Sequence, residues 1–460
     1  MLLKKIKNFI KSRRTQAKPV SGRKQASDFL PSNATNLGLV AKILIADLDG
    51  RGGSDVAQML VNVLAKEAEL VTFRTNLAIK QPPLKNINDR IIAATNIAQG
   101  ILSEHRGALI IWGEMEDMGT AMKLRFSAPK GNEESVGFLI AGDALDVTNP
   151  IAEKLRPIVP AIIFSILVTS YKGPRRQIAS GLKSNLNNLS KVQKSIVEEL
   201  ILEQKISFLI FYGYISLTSG LLGNKKDLLS AEKIFETGLS YVDQKSAPLV
   251  WGKIRHCQAS LLESKGRLTK NTSDLKFAVI AYQEVAKVYS RKARPHKWSA
   301  AWARAALVMY RIGILDHELR ESYLKASSEA FEEALAVCDR NAQPAHWAEM
   351  MNQFGIVLMG LGEYDLENTT LDKSLRCFRE VIKIRTRSAV PLLWAETANN
   401  LGAAGIALYK RVDDIELLNE ASLCFEGAID VFSQSPDYAK RTTVIKKNLE
   451  RVRMILRQGK

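Results

Sequence analysis

The residues best placed to do chemistry lie near the front of the chain. The run Asp47-Leu48-Asp49-Gly50-Arg51-Gly52-Gly53-Ser54-Asp55 follows a β-rich stretch and precedes a helical one, where backbone N–H groups at a helix start attract phosphate. It lacks the lysine and hydroxyl of a P-loop, and Asp55 stands where the dinucleotide fingerprint requires glycine. Asp47 and Asp49 would repel a phosphate, so a plain tight turn is the favoured reading over nucleotide binding. Glu114, Glu116 and Asp117 decorate a hairpin, and no Ser/His/Asp, Cys/His or paired-carboxylate set accompanies them. His105, His256, His296, His317 and His346 show no ligand spacing with one another or with Cys257, Cys338, Cys377 and Cys424. The cysteines read as small buried hydrophobes of a reducing compartment. No catalytic residue, metal or cofactor is expected.

Around these residues the chain alternates strand and helix. Ala41 to Leu48 reads as a strand, and Ser54 can cap a helix whose Val56, Met59, Leu60, Val63 and Leu64 share one face. A strand over Leu70 to Leu77 and a helix from Asn88 to His105 follow. Then come the strand Ala108 to Glu114, a turn at Asp117-Met118-Gly119, and a strand in which Met122, Leu124 and Phe126 alternate with Lys123 and Arg125. A last strand is expected over Val136 to Ile140, giving β-α-β-α-β-β-β and a small mixed sheet. Gly142 to Pro150 reads as a linker, Ile151 to Tyr171 as an apolar helix, and Lys172 to Lys194 as a basic Ser/Asn/Gly-rich connector, mobile in part.

The rest of the chain is a repeat. Pro248, Pro295, Pro344 and Pro391 each open P-x-x-W, and Trp251, Trp298, Trp347 and Trp394 are spaced by 47, 49 and 47 residues. Sixteen residues before each tryptophan is an aromatic (Phe235, Tyr282, Phe331, Phe378), and Phe425 continues the series. A small residue stands four before each aromatic (Ala231, Ala278, Ser327, Ser374, Ala421), and a leucine seven before it (Leu228, Leu275, Leu324, Leu371, Leu418). Steps of three, four and seven mark one helix face. Proline suits a helix start, so each repeat is a helix pair, with helix A opened by P-x-x-W and helix B carrying the leucine, small residue and aromatic. The tryptophans are structural markers of the repeat.

That helix B pattern resembles the tetratricopeptide repeat (TPR) family, and Phe354-Gly355 and Leu401-Gly402 resemble the family's large-glycine pair on helix A. The resemblance runs from about Ile206 to the C-terminus. The family's usual repeat is about 34 residues, and here the extra length falls at the front of helix A and in the A-to-B turn (Gly362 to Thr370, Lys410 to Glu416). The resemblance implies a right-handed superhelix whose concave groove is lined by helix A and holds a partner protein or peptide. Its ligand-facing positions map to Asn352 and Asn399, and in the same register to His256 and Ala303. Arg304 and Arg311 would add selection for an acidic segment, and Tyr310 an aromatic surface. The alternative is that the asparagines bond to the adjacent helix. The opening strand with its Asp47 to Gly53 turn, and the Ile110-Ile111-Trp112-Gly113-Glu114 strand with its hairpin, resemble the amino-terminal domain of TolB-like proteins, which implies a non-catalytic assembly or sensory module.

The expected architecture is an α+β two-domain chain, a small mixed-sheet α/β domain followed by an all-α right-handed TPR-like solenoid. Residues 1–38 are a basic leader, disordered or amphipathic, 39–142 the α/β domain, 143–205 a helical linker and 206–460 the repeats. The terminal stretch Tyr438 to Arg457 should be a capping helix with a polar outer face. The formal net charge is +17, but residues 1–30 and 440–460 carry 15 of those charges, so no specific nucleic acid is expected. The leader could meet an anionic membrane surface through residues 1–24. Neither 157–171 nor 206–223 is favoured as a membrane span. A cytoplasmic scaffold or adaptor, at most peripheral at the inner face of the membrane, is the main reading. A nucleotide-sensing or enzymatic α/β domain regulated by the repeat arm, and a membrane-surface adaptor, are its rivals.

Overall fold

Short buried strands and glycine turns build the front of the molecule. The computed structural model describes residues 41–84, 87–116, 121–129, 144–148, 157–170, 175–341, 343–364, 367–434 and 438–458. The leader, the Asp117 to Gly119 turn and the expected strand at 136–140 lie outside them. Five strands, β1 (Ala41–Asp47), β2 (Leu70–Ala78), β3 (Leu109–Glu116), β4 (Ala121–Ser127) and β5 (Leu145–Thr148), form one mixed sheet in the order β2-β1-β3-β4-β5. β1 runs parallel to β2 and β3, whereas β4 is antiparallel to β3 and β5 to β4. The fifth strand therefore falls inside the segment read as a linker, because four residues are too few to show a period of two.

Helix α1 (Gly53–Leu64) covers one face of the sheet and α2 (Ile87–Glu104) the other. Ile43, Ile45, Leu109 and Ile111 join the core beneath α1, while Leu44, Ala46, Ile110 and Trp112 pack under Ala94, Ala98 and Leu102 of α2. Burial on both faces is what the unbroken apolar runs of the central parallel strands require. α1 is capped by Gly52 in the left-handed region, at φ 80, and not by Ser54. The Ser54 hydroxyl instead accepts from Arg74 Nη2 at 2.6 Å.

The segment read as a helical linker supplies, through its described helices, much of the core under the sheet. α3 (Ile158–Ser170) is apolar on every side because it is buried on every side, and Pro160 is tolerated in its first turn. Of the basic connector Lys172 to Lys194, the described residues 175–194 lie in α4 (Arg175–Glu199), whose Ile178, Leu182, Leu186, Leu189 and Ile196 form a buried stripe on an otherwise polar helix. α5 (Leu202–Leu221) closes the same core. The Asp146 backbone N–H on β5 donates to Ser207 Oγ at 2.9 Å, the Ser207 hydroxyl donates to Ala144 O at 3.0 Å, and the Phe126 and Phe211 rings stand 6.0 Å apart. α5 is thus at once a wall of the sheet and helix A of the first repeat, which accounts for its apolar sequence. Among the described residues no helix is long and apolar enough to cross a membrane.

From α5 onward the chain is an α-helical solenoid of consecutive packed pairs. α6 (Lys225–Ser240) pairs with α5, and α7 (Pro248–Thr269) with α8 (Thr272–Tyr289). α9 (Pro295–Leu315) pairs with α10 (Arg320–Leu335), and α11 (Pro344–Leu361) with α12 (Thr369–Ile382). α13 (Pro391–Val412) pairs with α14 (Ile415–Phe432), and α15 (Ala439–Gln458) follows. The chain is thus α+β, a small mixed sheet followed by a helical solenoid.

Proline sets the start of helix A four times. Ala247, Arg294, Gln343 and Val390 precede it with φ between −133 and −142 and ψ between 59 and 67, outside the α region that a following proline disfavours. Each of these residues accepts from the tryptophan N–H, at 2.9 to 3.0 Å. The helix B aromatic then nests against a glycine of helix A. A Cβ on Gly213 would lie 2.3 Å from the Phe235 ring, and one on Gly355 or Gly402 would lie 2.8 Å from Phe378 or Phe425. Gly355→Val should therefore cost about 1 to 3 kcal/mol by overpacking. Urea unfolding of the full chain measures it, and an unchanged midpoint would refute the nesting argument.

Candidate partner-binding face

Helices α7, α9, α11 and α13 present the residues that the sequence nominates for partner contact. Their arrangement depends on what lies beneath them. Between α7, α8 and α9 the side chain of Glu263 is only 1% exposed. Its carboxylate accepts from Arg304 Nη2 at 2.5 Å, from Arg311 Nη1, and from the Tyr282 hydroxyl at 3.0 Å. The Tyr282 and Ser260 hydroxyls are 2.8 Å apart, the Arg304 guanidinium lies over the Tyr282 ring, and the His256 ring meets that ring edge-on at 5.3 Å.

The electrostatics follow from this crowding. Burial alone would raise the Glu263 carboxyl, but Arg304, Arg311 and the Tyr282 hydroxyl together hold it below the usual carboxylate range. Burial and the Glu263 charge push the Tyr282 phenol up. Arg311 is pulled down by burial and by Arg304 and Arg267, although Glu263 opposes them. Three cations therefore surround one carboxylate, and the third, Arg267 on α7, is exposed.

A second polar seam joins α11 to α13. Asn352 is 4% exposed, and its Oδ1 lies 3.3 Å from the Thr397 hydroxyl and 3.5 Å from Asn400 Nδ2. Asn399 Nδ2 donates to Asn400 Oδ1 at 3.4 Å. Arg385 Nη1 donates to Thr397 Oγ1 at 3.3 Å, and the Arg385 guanidinium pairs with Glu349, which also accepts from Gln353 Nε2 at 2.6 Å. Beside them, burial pushes His346 down to about 4 against the opposing pull of Glu349. In the register expected to face a ligand, His256, Ala303 and Asn352 are therefore buried, and Asn399 is half-buried. Asn352 makes the bond to the adjacent helix that was its alternative reading. Arg304, Tyr310 and Arg311 are half-buried on α9, with the edge of the Tyr310 ring near Gly360 of α11.

Trp347 is buried, while Trp251, Trp298 and Trp394 are half-buried, each packed against a core cluster. The sequence reading missed their partner. Arg291, Arg340 and Arg387 stand seven residues before Trp298, Trp347 and Trp394 and lie over their rings at 5.4, 4.7 and 5.5 Å. The same arginines pair with Glu333, Glu380 and Asp430 of the helix B that follows. Gln244 fills the position before Trp251. Glu263 was missed as well, although the repeat signals it: twelve residues after each tryptophan stand Glu263, Tyr310, Met359 and Ile406, one acid among apolar side chains.

At the other end, the glycine-rich turn bonds to itself and to β3. The Gly53 N–H donates to Gly50 O at 3.2 Å, the Asp49 N–H to Gly113 O at 2.9 Å, and the Met115 N–H to Asp49 O at 2.7 Å. These bonds stitch the carboxyl ends of β1 and β3 together, where open α/β sheets otherwise leave their ligand crevice. Asp47 pairs with Arg74 at 2.8 Å, and Glu114 with Arg125 at 2.9 Å. Cys338, Cys377 and Cys424 are free thiols pushed by burial to about 12, which leaves them un-ionised at neutral pH. No protein-family model matches the chain, and no curated protein matches it.

Proposed function

We propose that this chain is a non-catalytic protein-interaction scaffold in which TPR-like repeats hold an acidic, extended partner segment along the helix A face, with a TolB-like α/β module as its fixed base. The observation that carries the reading is the charge imbalance around Glu263. Arg304 and Arg311 share one carboxylate and Arg267 stands beside them, so the face keeps an excess of positive charge and free guanidinium donors. Several cations elsewhere on the solenoid are instead matched with acids, as in Arg340 with Glu380 and Arg379 with Glu420. A carboxylate from a partner would complete the donors that Glu263 leaves over.

The test is fluorescence anisotropy of the full chain with a labelled deca-glutamate peptide and a deca-lysine control. Binding of the acidic peptide alone is expected, and Arg267→Gln should weaken it at least tenfold, about 1.4 kcal/mol, with circular dichroism verifying that the variant folds. Equal affinity of wild type and variant would sink the proposal, as would equal binding of both peptides.

A further inference from the structure

We propose that the outer face of α15 is a docking surface for an anionic lipid bilayer. This inference is independent of the partner-binding reading. α15 packs inward through Ile445, Leu449 and Val452 against Phe425 and Phe432 of α14. On the opposite side Lys440, Val444, Lys447, Arg451 and Met454 recur at steps of four, three, four and three, which places them on one stripe. All five are exposed, Val444 at 58% and Met454 at 57%.

The helix carries seven Lys/Arg and one acid, Glu450. Arg441 pairs with Glu396 and Arg453 with Glu426. Lys440, Lys446, Lys447, Arg451 and Arg457 make no ion pair among the described residues. That contrasts with the ladder on the preceding repeats, where Lys373 meets Glu332, Arg379 meets Glu420 and Arg387 meets Asp430. A surface that has lost its matching acids is complementary to a body that supplies many negative charges at once.

The chemistry of the stripe decides which body. A second copy of the same face would bring like charges together, which opposes a symmetric dimer. A nucleic acid calls for cations with aromatic or hydrogen-bonding side chains that meet bases, and the stripe has no aromatic. Two exposed apolar side chains among lysines and arginines fit the interface of an anionic bilayer, where the cations meet headgroup phosphates and Val444 and Met454 enter the acyl boundary.

The experiment is cosedimentation of the full chain with vesicles of one part phosphatidylglycerol to two parts phosphatidylcholine, with pure phosphatidylcholine as control. Wild type should pellet with the anionic vesicles only, and less so as salt rises. The triple change Lys440→Glu, Lys447→Glu, Arg451→Glu should lower the partition constant at least tenfold. The double change Val444→Ser, Met454→Ser, which keeps every cation, should lower it about threefold. All five side chains are exposed, and circular dichroism verifies that both variants fold. Wild-type pelleting of the triple variant would overturn the assignment and place any lipid binding elsewhere on the chain. Undiminished pelleting of the double variant, together with displacement of the vesicles by duplex DNA, would also overturn it and define a general phosphate surface.

Discussion

Glu263→Gln is expected to lower the stability of the folded chain by about 3 to 5 kcal/mol, the cost of breaking a buried ion pair and leaving its partner uncompensated. The Glu263 carboxylate is bonded by both Arg304 and Arg311, and it also accepts from Tyr282. The amide keeps the volume and removes the charge, so both guanidinium groups lose their counter-ion in a desolvated place. Replacing the set together, with Glu263→Leu, Arg304→Met, Arg311→Met and Tyr282→Phe, should recover most of the loss, because an apolar cluster of similar volume needs no counter-charge. The pH dependence carries the same signature. The folded-state pKa of Glu263 is depressed, so its contribution is fully present above the unfolded carboxyl value of about 4.3 and is lost as pH falls through the lower folded value. Wild type should therefore lose stability below about pH 4 more steeply than Glu263→Gln. Chemical denaturation of both proteins at pH 7 and pH 3.5 measures the two slopes. Equal stability of the two proteins at pH 7 would show that the arginines find other partners.

The limits of the sequence reading follow the physical range of each interaction. Proline geometry is local, and all four helix A starts were legible from P-x-x-W. The helix B aromatics and small residues were legible because the pattern repeats, and each small residue, from Ala231 to Ala421, is fully enclosed. α4 was obscured by composition, since its lysines, serines and asparagines outnumber the five apolar residues that carry its buried stripe. β5 is defined by its partner β4 and by Ser207, which stands sixty-one residues from Asp146, and nothing in its four residues announces either. The candidate site behaved in the same way. Arg304 and Arg311 were found as isolated charges, but their meaning depends on Glu263 in the previous repeat, 41 and 48 residues away. Asn352 looked like a surface donor until Thr397 and Asn400 of the next helix A closed over it. A register from a shorter repeat predicts position along the helix, but the tilt that exposes or buries a side chain depends on the turn that follows.

Trp347→Ala is expected to cost about 3 to 5 kcal/mol, as truncation of a buried tryptophan does. The Trp347 ring is 8% exposed and belongs to the cluster of Phe331, Phe354 and Cys377. Arg340 lies over it at 4.7 Å and binds Glu380 through Nη1 at 2.9 Å, so the ring joins α11 to α10 of the preceding repeat and to its own partner α12. Trp298→Ala should cost less, because that ring is half-buried and lies tilted at 5.9 Å from Trp302, which stays to cover the gap. Arg340→Ala should cost about 0.5 to 1 kcal/mol, the worth of a cation–π contact at a partly exposed site. A solenoid couples mainly to its nearest neighbours, so the damage should be uneven along the chain. Hydrogen exchange of Trp347→Ala should show protection lost across α10, α11 and α12 while β1 and β3 of the sheet keep theirs, since their core is separate from that of Trp347. Unchanged exchange in α10 to α12 together with loss of acidic-peptide binding would make Trp347 a contact for the partner and not part of the frame.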